Sequence, residues 1–303
     1  MKTRTVGELL RISANTLVER QLAWDIDDGL LQAELLYAQV SARSRTEVIA
    51  DKGSEIAPEY LDAYSLVFDR RLANEPIGYI LGEKEFFGLP LMVGPGTLIP
   101  RPETEVLVEI ALERCKAIEN ISEYLNIIDV GTGSGAIAIT LARYLSNFRV
   151  YGIDVSEDAL RWAKKNEELF NLHDNIELNR GDLLSDISAT LEHKISVLVA
   201  NLPYIPTEAA NTLPEEIREQ EPFVAIDGGE DGLDLFRRLA SQLSSVLTAD
   251  LGCVLLEVGA GQISWVEDII RGGIEPITDK TLKISHHRDL ANTRRVLEIS
   301  YGI

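Results

Sequence analysis

Apolar positions recur at helical spacing through residues 5–75: Leu9, Leu10, Leu17 and Leu22, then Leu31, Leu35, Leu36 and Val40, then Leu61, Tyr64, Val67, Phe68 and Leu72. This spacing predicts a small helical bundle, with breaks near Asp27-Asp28-Gly29, Ser41–Ser44 and Lys52-Gly53-Ser54. Residues 76–100 change character, with Gly78, Gly82, Gly88, Gly94 and Gly96 among Pro76, Pro90, Pro95 and Pro100. Glu85-Phe86-Phe87 and Leu89–Val93 flank a glycine-containing turn, which predicts a β-hairpin linker.

From about residue 104 the pattern alternates between helix and strand. Val106–Ile118 reads as a helix, and Asn126–Val130 as an apolar strand running into a glycine turn. Ile137, Leu141 and Leu145 share one face of the next helix. Arg149–Ile153 is a strand ending at Asp154, Ala159–Phe170 a helix, and Ile176–Asn179 a strand followed by Gly181-Asp182. Ile195–Ala200 and Gly252–Val258 are further strands, separated by a helix over Leu233–Leu247. A helix near Ile263–Ile270 precedes two β-rich runs, Ile277–His286 and Val296–Tyr301, which predict a hairpin closing one sheet edge. Strands separated by helices imply right-handed crossovers and a parallel α/β sheet. The division expected is a helical domain over 1–75, the hairpin linker over 76–100 and an α/β domain over 101–303.

The chain has 303 residues, of which 45% are hydrophobic and 26% charged, the balance of a globular protein with a sizeable core. No apolar run approaches the ~20 residues that span a bilayer. The first residues show no apolar signal segment. Cys115 and Cys253 are too few for a disulfide framework, and the four histidines lack metal-ligand spacing. These features predict a cytoplasmic, metal-free protein without a membrane partner. Net charge is −20, and residues after 83 hold 20 Lys/Arg against 35 Asp/Glu. Nucleic-acid binding rests on clustered cations, so the acidic segment argues against direct contact with nucleic acid and favours a basic protein partner.

Two short stretches carry the chemistry. Gly131-Thr132-Gly133-Ser134-Gly135 follows a strand and spaces its glycines two apart, unlike the G-x-G-x-x-G of dinucleotide folds. Such a turn lets the backbone approach a nucleoside cofactor closely. Asp154, at the next strand end, is placed to accept hydrogen bonds from both ribose hydroxyls. Asp182, after the following strand, is a candidate to face an adenine amino group. Strand-end acids also serve as helix caps, but an ordered set lies where open parallel sheets bind ligands.

Asn201-Leu202-Pro203-Tyr204 follows the buried strand Ile195–Ala200. An amide nitrogen is a poor nucleophile because its lone pair is delocalised into the carbonyl. A site that accepts both N–H groups turns that lone pair toward an electrophilic methyl. Asn201 offers a side-chain oxygen and Leu202 a carbonyl for this grip. Pro203 stiffens the loop, and Tyr204 offers a face against which a planar amide or base stacks. The nitrogen becomes acidic only once methylated, so positioning outweighs a strong base. The combination points to methyl transfer onto an amide or aromatic amine nitrogen.

The chain resembles HemK/PrmC-type peptide-chain release factor glutamine methyltransferases, which use S-adenosylmethionine. The likeness rests on Leu98-Ile99-Pro100-Arg101-Pro102-Glu103-Thr104-Glu105, on Asp129–Gly135, on Asn201–Tyr204 beside the family's Asn-Pro-Pro-Tyr, and on Glu221-Pro222 with Ala225-Ile226-Asp227-Gly228-Gly229-Glu230-Asp231-Gly232. Weaker echoes are Leu256-Glu257-Val258-Gly259 with Gln262, and Asp289-Leu290-Ala291 with Arg295-Val296. The resemblance implies a Rossmann-like, seven-stranded class I methyltransferase sheet. It implies that Gly131, Thr132, Gly133, Ser134, Gly135 and Asp154 hold the cofactor, with Leu183 beside the adenine and Asn201 touching cofactor and substrate. Pro203 and Tyr204 would meet the glutamine of a Gly-Gly-Gln loop in a bacterial release factor. The helical domain would dock that protein, with the enzyme acting as a monomer.

Three residues depart from the family pattern. Leu202 replaces the first proline of the tetrapeptide, Leu183 stands where an aromatic is often found, and Asn292 holds a position usually given to glycine. Asn-Leu-Pro-Tyr also resembles the loop of ribosomal RNA adenine dimethyltransferases, whose exocyclic amine needs the same acceptors. Ribosomal-protein glutamine methylation and a non-catalytic cofactor-binding interaction module are further alternatives.

Overall fold

The computed structural model describes residues 5–119, 125–185, 187 and 191–303, and these divide into two units. The first comprises residues 1–83 with 214–220. Its helices are α1 (Val6–Glu19), α2 (Ile26–Ser41), α3 (Arg45–Ala50), α4 (Pro58–Leu72) and α5 (Ile77–Leu81). Thr5 opens α1 through a capping box with Glu8, and Ser44 opens α3 through one with Glu47. The helices close over Leu10, Leu36, Tyr37 and Tyr64.

Asp27-Asp28-Gly29, expected as a break, is instead the first turn of α2. Asp25 accepts the N–H groups of Asp27 and Asp28, and the two carboxylates complement the positive end of the helix dipole. The break falls earlier, where Gln21 adopts a φ of 61°. Arg71, buried among these helices, donates to Gln32, to the Leu22 carbonyl and to Glu216, 2.8 Å away. Glu216 lies on α10 (Glu215–Gln220), which joins this unit from far along the chain.

The second unit, residues 84–213 with 221–303, holds the sheet. Strands β1 (Glu83–Phe86) and β2 (Leu89–Met92) form the expected hairpin. Phe87 and Gly88 turn it with φ of 51° and 74°. The larger sheet contains β3 (Leu125–Val130), β4 (Phe148–Asp154), β5 (Ile176–Arg180), β6 (Ile195–Ala200), β7 (Gly252–Glu257), β8 (Lys283–Arg288) and β9 (Arg294–Tyr301). Their order is β5-β4-β3-β6-β7-β9-β8, parallel except for β9, which pairs antiparallel with β7 and β8. This is the seven-stranded Rossmann-like sheet expected of the chain, with the β8–β9 hairpin at one edge.

Helices α6 (Glu105–Glu119), α7 (Ala136–Tyr144), α8 (Glu157–Phe170), α9 (Thr207–Ala210), α11 (Asp234–Gln242) and α12 (Ile263–Ile274) complete the unit. Strand alternation sends Ile127, Val197, Val199 and Leu255 into a core with α6 and α7. Ile128, Leu198, Ala200 and Leu256 go into another with α11 and α12. Burial on both faces explains why these strands read as continuous apolar runs.

Two boundaries differ from expectation. The helix expected over Leu233–Leu247 is α11 followed by a 3-10 turn at Leu243–Ser245. Strand β8 begins at Lys283, not Ile277, because Ile277 and Leu282 pack against the core instead of pairing. Strand β3 lies between β4 and β6, so chain connections depart from it in opposite directions. The crevice at the carboxyl ends of such strands is where open α/β sheets bind ligands.

Candidate active site

Gly131, Gly133 and Gly135 follow β3 with φ of 76°, 59° and 82°, left-handed positions that a Cβ would strain, alternating with Thr132 and Ser134. Gly131 and Thr132 donate their N–H groups to the Ile153 carbonyl on β4. Gly133 donates to Asp154 Oδ2 at 2.8 Å, while Ser156 N–H donates to Oδ1 at 2.9 Å. Asp154 thus ties the glycine turn to the loop after its own strand. Burial raises its pKa, and the N–H groups of Ser156, Gly133 and Val155 oppose that shift. Beneath the turn, buried Asp129 accepts from Thr132 Oγ1 at 2.6 Å and from Ala138 N–H at 3.1 Å. Its other oxygen, Oδ1, has no partner among the described residues. Burial pushes this carboxyl up to about 7, against the pull of those two donors.

The Asn201–Tyr204 loop leaves β6 beside that turn. Asn201 Nδ2 donates to Thr104 Oγ1 at 3.0 Å, and Thr104 Oγ1 donates to Glu257 Oε2 at 2.7 Å. Tyr204 donates its phenol proton to Glu257 Oε1 at 3.2 Å. Gln262 Nε2 donates to the Tyr204 carbonyl at 2.9 Å, while Gln262 Oε1 accepts from Gly259 N–H. The Leu202 carbonyl accepts no hydrogen bond among the described residues. Burial raises the pKa of Glu257; burial, then the charge of Glu257, raises that of Tyr204.

Leu202 is 2% exposed and belongs to the core between the sheet and α11 and α12. Its Cδ2 lies 3.2 Å from where a Gly131 Cβ would stand. Apolar packing therefore anchors the loop where the family pattern has its first proline ring. Residues 225–232 back the same loop. A Cβ on Gly228 would lie 2.8 Å from the Pro203 carbonyl oxygen, and one on Gly232 would collide with the Tyr204 carbonyl. Glu221 in turn accepts from Ile99 N–H and Arg101, joining the 98–105 stretch to this block.

One cavity of about 270 Å³ is lined by Gly131, Gly133, Asp154, Asp182, Leu183, Asn201, Leu202 and Pro203. Thr132, Ser134, Gly135 and Tyr204, also expected at the site, are not on its wall. Thr132 and Ser134 are buried behind it, Gly135 caps α7, and Tyr204 is engaged with Glu257. The Asp182 carboxylate pairs with Arg238, which lines the cavity too. Leu183 adopts a φ of 56°, a conformation rare for leucine that its surroundings must enforce. Thr97, Leu98, Val155, Val224 and Leu235 complete much of the wall, and sequence reasoning assigned none of them a role. Only Leu98, within a motif already singled out, carried a sequence signal.

The described parts suit a nucleoside cofactor: a turn that presents Gly131 and Gly133 to the cavity, a buried strand-end carboxylate, apolar walls and an orphaned buried acceptor below the turn. Fold and site together define a class I, Rossmann-like methyltransferase. A family model described as a methyltransferase domain matches residues 121–220, and one described as the PrmC N-terminal domain matches residues 8–82. The release factor glutamine methyltransferase of Moorella thermoacetica is 39% identical over 86% of this chain and 89% of its own length. That of Thermodesulfovibrio yellowstonii is 39% identical over 71% of this chain and 75% of its own. The chain belongs to the release factor glutamine methyltransferase family. The N-terminal domain of human METTL16, solved in complex with SAH, covers 77% of this chain and 83% of its own with a TM-score of 0.50. At 20% identity that likeness concerns the fold.

Proposed function

We propose that the chain methylates the side-chain amide nitrogen of the glutamine in the Gly-Gly-Gln loop of bacterial peptide-chain release factors, using S-adenosylmethionine. The observation that carries this reading is the orientation of Asn201. Its NH2 group is turned to Thr104, so its oxygen faces the other way and is free to accept from a substrate amide. The Leu202 carbonyl is the second acceptor. With both N–H groups held, the amide lone pair points across its plane. Pro203 on the cavity wall shapes the entry for the planar group. When bound, the cofactor supplies an electrophilic methyl on sulfur. The substrate nitrogen would take the methyl as its bond to sulfur breaks and, then positively charged, would release its proton to solvent. Asp154, Gly131 and Gly133 hold the cofactor from the ribose side, with Asp182 and Leu183 at the adenine; Thr132, Ser134 and Gly135 shape the turn from behind.

Family membership and the acidic balance of the segment after residue 83 support a protein substrate over nucleic acid. Residues 1–75 are assigned to docking the release factor and residues 101–303 to catalysis, in a monomer working in the cytoplasm beside the translation machinery. Among the described residues no helix is long and apolar enough to cross a membrane. The test is mass spectrometry of an unmodified release factor incubated with the protein and S-adenosylmethionine. One added methyl on the Gly-Gly-Gln glutamine is expected. A release factor left unmethylated while the cofactor binds refutes the assignment.

A further inference from the structure

Glu257, at the end of β7, is 2% exposed, and its burial is costly unless its carboxylate is fully used. Its two oxygens reach the two sides of the substrate loop: Oε2 accepts from Thr104, which holds Asn201, and Oε1 accepts from Tyr204. A hydroxyl has a single proton to give. An ionised carboxylate only accepts, so Thr104 must spend its proton on Glu257. Its oxygen is then left only to accept, and Asn201 must turn its NH2 toward it. The polarity of the chain from Glu257 through Thr104 therefore decides which end of the Asn201 amide faces the cavity.

We infer that Glu257 is a positioning residue for methyl transfer: through Thr104 it keeps the Asn201 oxygen turned toward the substrate amide, while its second oxygen steadies Tyr204. This inference rests on the glutamine-amide reading above. A group that donates to Thr104 reverses the chain. Thr104 then donates to Asn201, and the Asn201 NH2 meets the N–H groups of the substrate, donor against donor.

Glu257→Gln keeps size and shape but has one acceptor in place of two, so its NH2 either faces Thr104 and reverses the chain or faces Tyr204 and removes its acceptor. Thr104→Val removes the relay. Both are assayed for methylation of a release factor at saturating cofactor. For Glu257→Gln the expected result is a kcat about 10²-fold lower, with KM and cofactor affinity at wild-type values, as for a misaligned acceptor. Thr104→Ser, which keeps the hydroxyl, recovers most of the Thr104→Val loss. The two losses share one chain, so the double variant is no slower than the worse single variant. A pH profile adds a readout that a merely structural role would not move. The groups facing Glu257 are Thr104, Tyr204, Arg295 and Glu103. Wild-type kcat falls on acidification through the raised range of Glu257, whereas Glu257→Gln lacks that limb. An unchanged kcat, a loss confined to KM, or multiplicative losses in the double variant would overturn the inference. Wild-type protein that binds cofactor and leaves the release factor unmodified overturns the underlying reading instead, and the inference with it.

Discussion

Asp154→Asn tests the cofactor grip most directly. The wild-type carboxylate has two oxygens, each accepting one backbone N–H, from Gly133 and from Ser156, at 2.8 and 2.9 Å. Each oxygen retains a lone pair for one ribose hydroxyl. Asparagine supplies one acceptor only, so its NH2 must face either a backbone N–H or a hydroxyl that has lost its acceptor. A hydrogen bond to a charged group contributes about 1.5–3 kcal/mol. Losing one ribose contact therefore weakens cofactor binding roughly 10- to 150-fold. Asp154→Ala loses both and falls further. Isothermal titration with S-adenosylhomocysteine reads the change, with circular dichroism confirming that the fold persists. Burial raises the pKa of Asp154, and the ionised form is the one that accepts both hydroxyls. Wild-type affinity therefore declines as pH falls into that range, and the Asn variant lacks this dependence. A folded Asp154→Asn protein with wild-type Kd would refute the reasoning and move the ribose contact elsewhere.

Asn201→Ala is expected to lower kcat about 10²–10³-fold, the usual loss for one preorganised polar contact, while cofactor Kd holds; retained turnover would sink the amide grip. Asn292 adopts a φ of 63° in the turn between β8 and β9, which explains the glycine usual there and the tolerance for asparagine. Asn292→Gly should leave the thermal midpoint close to wild type, whereas Asn292→Val should cost about 1–2 kcal/mol in thermal unfolding; equal midpoints for the two would contradict this. Asp129, pushed up to about 7 from 3.8, keeps its proton in the folded chain over a range where the unfolded chain has lost it. Wild-type stability therefore falls as pH rises between those two values, and Asp129→Asn, which does not titrate, should gain on it by up to about 4 kcal/mol across that window. Denaturant unfolding of both proteins at either end of the window measures it, and a pH-independent difference would mean Asp129 is ionised throughout.

The alternation of helix and strand, the glycine turn and the Asn201 loop were legible in sequence because each depends on neighbours a few residues apart. Periodicity places a face, glycine permits a left-handed turn, and an apolar run marks a strand buried on both sides. The glycine turn, Asp154 and Asp182, after β3, β4 and β5, could be ordered from sequence because strands consecutive in the chain usually lie side by side. Local signals failed where a longer-range preference won. Asp27-Asp28-Gly29 resembles a turn, yet a cap at Asp25 and the helix dipole carry it into α2.

Leu202 stands in sequence only as a departure from the family's first proline, and its packing into the core exists only once β6 and Gly131 are side by side. The site's polar wiring is likewise a tertiary product. Asn201 meets a hydroxyl 97 positions away, and that hydroxyl meets a carboxylate 153 positions further on. Composition and spacing supply the asparagine, but the direction of its oxygen follows from a chain of hydrogen bonds among three residues far apart in sequence. Residue identity determines which groups are available to donate and accept; only the folded chain decides which of them meet.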